Sequence, residues 1–72
     1  MSLETLELGF LLVSERPALS SVARGLAKTP QDADSAVRRA MRATWLERDA
    51  IEDRSELVEK LYGQLRTELR PT

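Results

Sequence analysis

Apolar positions in this chain recur at steps of three and four. Leu3, Leu6, Phe10 and Val13 form the first such series, widened by Leu8, Leu11 and Leu12, and they predict a helix over about Ser2–Ser14 capped by Ser2. Ser14–Glu15–Arg16–Pro17 reads as a connector, because the residue before proline disfavours helical geometry while proline itself suits a first helical turn. A short second helix follows, starting near Pro17 to Ser20 and giving out around Lys28, with Leu19, Val22, Ala23 and Leu26 on one face.

Thr29–Pro30–Gln31–Asp32 is a helix start: a threonine cap, proline at the first helical position, and an acidic side chain three residues on that can reach back. The third helix it opens turns Ala33, Val37, Ala40, Met41, Thr44 and Trp45 inward and Gln31, Asp32, Ser35, Arg39 and Arg42 outward. Leu46–Arg54 is charge-rich without a clear apolar period, and reads as a frayed helix end and a loop. Asp53 or Ser55 can cap a last helix, Glu56–Leu69, in which Leu57, Leu61, Leu65 and Leu69 form a ladder with Val58 and Tyr62 beside it. Four helices and no strand predict one small all-α domain over residues 1–72, with Val22, Leu26, Val37, Met41, Trp45, Leu61 and Leu65 in one core.

Composition narrows the chemistry. A chain of 72 residues buries only about 60% of the surface it exposes when unfolded, so its core is thin. Cysteine and histidine are both absent, which removes disulfides, thiolate metal sites and the commonest general base. Paired acids occur at Asp32/Asp34 and Glu52/Asp53, but no nucleophile–base set or glycine-rich phosphate loop accompanies them, so neither an enzyme, a cofactor nor a small-molecule ligand is expected. The longest apolar run, Leu8–Val13, is far short of the roughly 20 residues that span a bilayer, and Glu4 and Glu7 stand where a secretory signal carries basic residues. A reducing cytoplasm fits this chain.

The second and third helices, joined by a tight turn, describe a helix-turn-helix over about 19–45, with Ala27, Ala33 and Ala36 small enough for close crossing. At these residues the chain resembles a family, the C-terminal DNA-binding effector domain of the sporulation master response regulator of spore-forming Firmicutes. VARGLAKTPQDADSAVRRAMRATW is similar to that domain's helix-turn-helix in Val22–Ala23, Thr29, Val37–Arg38, Ala40 and Trp45. SELVEKLYGQLRTE is similar to its last helix in Ser55, Glu56, Leu65, Arg66 and Glu68. The resemblance implies a DNA-binding transcriptional regulator in trimmed form, with fewer helices before the unit and a shorter loop before the last helix. A receiver domain ahead of it, and with it control by phosphorylation of the family type, is not expected. Where the family presents serine, arginine, glutamate and arginine at the start of its recognition helix, this chain has Gln31, Asp32, Asp34 and Ser35.

Charge supports the DNA reading in part. Overall the net charge is −1, yet Leu19–Trp45 holds five basic residues, Arg24, Lys28, Arg38, Arg39 and Arg42, against Asp32 and Asp34. These basic residues, with Gln31, Asp32 and Ser35, form the candidate duplex-DNA surface. Gln31 suits adenine and Asp32 suits cytosine in the major groove, although capping is a simpler role for Asp32. The bland alternative is that the arginines are a solvated helix face paired with Asp34 and Asp32. Four or five basic contacts per copy bind weakly, so a dimer is expected, and Leu57, Leu61, Tyr62, Leu65 and Leu69 are its candidate interface. The competing function is a protein-binding adaptor or antagonist that keeps the fold, has lost DNA, and holds a related regulator.

Overall fold

The computed structural model describes residues 4–70. Among them the chain forms three α-helices, α1 (Thr5–Leu26), α2 (Pro30–Leu46) and α3 (Arg54–Glu68), with a 3-10 turn at Arg48–Ala50 and no strand. The all-α expectation holds, while the helix count drops from four to three because the first two predicted helices are one. Pro17 lies inside the 22-residue α1. Its missing N–H deprives the Val13 carbonyl of a helical donor, but both residues are exposed, so water can satisfy that carbonyl. Continuity is held by a single buried stripe, Leu8, Leu12, Leu19 and Ala23, that runs past the proline. The Ser2 cap and Leu3 lie outside the described residues, and Glu4 takes the N-cap position of α1.

That stripe takes up only part of the apolar series predicted for the N-terminal turns. Leu6, Phe10 and Val13, which define the series, are 87, 73 and 65% exposed, while Leu8 and Leu12, which widen it, are buried. The short connector Ala27–Thr29 pins the end of α1 against α2, so Leu19 and Ala23 set its rotation. A continuous helix carries that phase back to Leu12 and Leu8, seven and eleven residues from Leu19, and leaves the other apolar stripe outside. Val22 and Leu26 are likewise more exposed than expected, at the rim of the stripe and the last residue of the helix.

Packing is centred on α2, which makes its largest contact with α3 and its next with α1. Its inward face is Ala33, Val37, Ala40 and Thr44, as predicted, joined by Ala36, with Met41 and Trp45 half-buried against the core. Because α2 contributes small side chains, α1 and α3 fill the interior with leucines: Leu57, Leu61 and Leu65 are at 0% exposure. The buried Thr44 hydroxyl donates to the Ala40 carbonyl at 2.8 Å, so it leaves no orphaned group. The stretch read as loop contributes more than expected, since Ile51 is 1% exposed in the core. Asp53, rather than Ser55, caps α3: its Oδ1 accepts from the Glu56 amide at 2.9 Å, and Glu56 accepts in return from the Glu52 amide at 3.2 Å.

Gly63 sits mid-helix in α3, where a Cβ would meet only the Arg66 guanidinium at 4.0 Å. No close approach requires glycine there. Gly63→Ala is expected to stabilise the fold by about 0.8–1 kcal/mol through helix propensity alone. For a domain of this size that is a rise in thermal midpoint of about 4–8 °C, and a fall on melting would show an unseen packing demand at Gly63.

Candidate nucleic-acid interface

The threonine cap and first-turn proline predicted for α2 both form, while the Asp32 carboxylate makes no reach-back bond among the described residues. Thr29 is extended, its Oγ1 accepts from the Asp32 amide at 3.1 Å, and Pro30 occupies the first turn. The apolar stripe of α2 puts Ala33, Ala36, Val37 and Ala40 in the core and leaves the opposite face to solvent. Gln31, Arg38 and Arg42 lie along that outer face at helical steps, all exposed, with half-buried Ser35 between them. Arg39 is one helical step around from Arg38, on the side toward the end of α3.

The candidate surface therefore divides. Lys28, Asp32, Ser35 and Arg39 line one shallow groove together with Glu68 at the end of α3 and Arg70 just beyond it. Arg24 and Lys28 converge beside Thr29 and Pro30 at the start of α2. Arg38 and Arg42 stand apart on the outer face. Sequence reasoning missed Glu68 and Arg70 as neighbours of this surface, because only the fold of α3 back along α2 brings them there.

The bland reading of the arginines as partners of Asp32 and Asp34 meets no contact of that kind. Among the described residues the ion pairs are Arg39–Glu68 at 3.6 Å, Arg54–Glu15 at 3.5 Å and Lys60–Glu47 at 2.8 Å. Arg24, Lys28, Arg38 and Arg42 make none, and exposed pairs such as Arg39–Glu68 hold their partners loosely. Arg48 is engaged otherwise: it stacks over the Trp45 ring at 4.7 Å and donates to the Trp45 carbonyl at 3.0 Å.

Most of the residues expected at a dimer interface are packed inside the chain itself. Leu57, Leu61 and Leu65 have no exposed surface left for a second copy, and only Tyr62 and Leu69 reach the half-buried rim. The physical reason is the small-residue face of α2, which leaves volume that these leucines fill together with those of α1 and Ile51. The Tyr62 phenol is raised above its ordinary value of 10.0, first by burial and then by the Glu15 carboxylate. It is neutral at physiological pH, and its contribution to stability is present below pH 10 and lost as pH rises through the shifted value.

No described helix is long and apolar enough to cross a membrane. No family model, curated protein or solved structure matches the chain.

Proposed function

We propose that the chain is a small helix-turn-helix protein that binds duplex DNA through α2 and acts in transcriptional control. In this reading the C-terminal part of α1, the connector Ala27–Thr29 and α2 make up the unit, in keeping with the resemblance to the sporulation effector domain. The observation that carries it is the exposed outer face of α2, where Arg38 and Arg42 stand without an acidic partner among the described residues, with Arg24 and Lys28 gathered at the helix start. Arg24 and Lys28 would meet phosphates, Gln31 and Ser35 base edges, and Arg38 and Arg42 the flanking backbone as the helix lies in the major groove.

Asp32 and Asp34 are exposed in the same first turns and oppose this attraction, which is what favours the adaptor alternative. A gel shift on random duplexes at low salt, followed by sequencing of the retained DNA, separates the two. A shift that weakens steeply with salt is the expected result, and no shift at tens of micromolar protein leaves the adaptor reading. Within the DNA reading, Arg39→Ala should weaken binding less than loss of an outer-face arginine, because Glu68 already competes for its guanidinium. Asp32→Asn should tighten binding by removing a negative charge beside the phosphates. If Asp32→Asn binds no better than the parent in a titration at two salt concentrations, the start of α2 is not at the duplex.

A further inference from the structure

Helix α1 carries a second apolar stripe that the fold does not use. Leu6, Phe10 and Val13 succeed one another at steps of four and three and are 87, 73 and 65% exposed, all on the face opposite Leu8 and Leu12. Together they present on the order of 400 Å² of apolar surface, the size of the largest patch on an ordinary monomer and commonly a functional one. The stripe ends at Pro17, beyond which the same face is polar, with Ser21 and Arg24.

We infer that this stripe pairs two copies of the chain, α1 against α1 in antiparallel register about a two-fold axis near Phe10. The inference deepens the DNA-binding reading by supplying the second half-site reader that a surface of so few basic residues needs, and it replaces the α3 ladder in that role. Three observations select a second copy as the occupant. The stripe is nearly symmetric about its middle residue, so a two-fold axis there sets Leu6 of one copy against Val13 of the other and Phe10 against Phe10, the self-complementarity an isologous contact demands. Antiparallel pairing also sets the acidic first turns of the two copies, with Glu4 and Glu7, at opposite ends of the contact, whereas a parallel pair would bring both to the same end. The area fits as well: doubling the patch buries on the order of 800 Å², below a permanent dimer and right for a weak one that DNA then strengthens. Because the stripe is on α1 and the arginines are on the outer face of α2, both surfaces are open at once.

Sedimentation equilibrium of the full chain without DNA tests the pairing separately from the DNA reading. The expected result is a reversible monomer–dimer equilibrium with a dissociation constant on the order of 10–100 μM. Phe10→Glu should raise that constant roughly tenfold or more with the helical circular dichroism unchanged, while Leu46→Glu, which removes another exposed apolar residue away from the stripe, should leave it where it was. Orientation is read by single cysteines introduced into this cysteine-free chain. A mixture of Leu6→Cys and Val13→Cys should oxidise mainly to the mixed disulfide in an antiparallel pair, and either variant alone should cross-link poorly. A chain that stays monomeric to 200 μM, on the order of several dissociation constants, overturns the proposal, as does a dimer that Phe10→Glu leaves intact or homodisulfides outnumbering the mixed product. Each of these outcomes leaves the gel-shift result to stand or fall by itself.

Discussion

Leu61→Ala should lower the thermal midpoint by about 15–40 °C, whereas Phe10→Ala should leave the melt nearly where it was. Both substitutions remove a large apolar side chain from a helical stripe. Leu61 is fully buried where α3 meets the alanine face of α2, and Phe10 is 73% exposed. Truncating a buried leucine costs about 2–5 kcal/mol, from lost transfer energy and the cavity left behind. A domain of this length has a total stability of roughly 4–10 kcal/mol, so the loss is a large share of it. Alanines on the facing helix are too short to collapse into the gap, which sets the expectation at the upper part of the range. An exposed substitution away from caps and pairs stays within about 0.5 kcal/mol. Circular dichroism melts at low micromolar concentration, where copies are apart, check the pair. Equal losses for the two variants would mean that α1 presents its other stripe to the core.

The double substitution Arg38→Ala/Arg42→Ala should abolish the retarded band at moderate salt while leaving the melt unchanged. Both guanidinium groups are on the exposed outer face of α2 and neither has an acidic partner among the described residues, so folding loses nothing when they go. Removing two phosphate contacts makes the dependence of log affinity on log salt shallower by about 2. With only four or five basic contacts at the outset, the remainder holds DNA weakly. Substituting Arg54 and Lys60 instead, which pair with Glu15 and Glu47 away from this face, should leave the salt slope as it was. If the two double variants bind alike, the attraction is diffuse and α2 has no special place in it.

Much of the architecture follows from local chemistry that a sequence displays directly. Thr29 and Pro30 start α2 because a hydroxyl cap and a missing N–H suit the first turn wherever the chain goes, and Asp53 starts α3 in the same way. The inward face of α2 and the leucine ladder of α3 are legible because each helix has one apolar stripe and one polar face. The basic residues of the candidate interface are legible for the converse reason, since nothing apolar competes for their side of the helix.

Tertiary structure decided what local chemistry left with two answers. α1 has two apolar stripes in its first turns, and nothing within Thr5–Val13 prefers one of them. The choice is made at the other end, where the connector Ala27–Thr29 fixes Leu19 and Ala23 against α2, and it reaches Leu8 and Leu12 only because the helix runs unbroken past Pro17. A proline in the middle of a helix reads locally as a break. Here the solvent beside Val13 and Pro17 can meet the freed carbonyl, and burial of one long stripe outweighs the lost hydrogen bond. Ile51 enters the core from a charge-rich segment for a related reason, because the gap it fills exists only after α2 and α3 have packed. The same packing consumes the α3 ladder inside the chain and leaves Leu6, Phe10 and Val13 outside it. Which apolar face stays free for a partner is therefore a property of three helices fitted together, and of no one helix by itself.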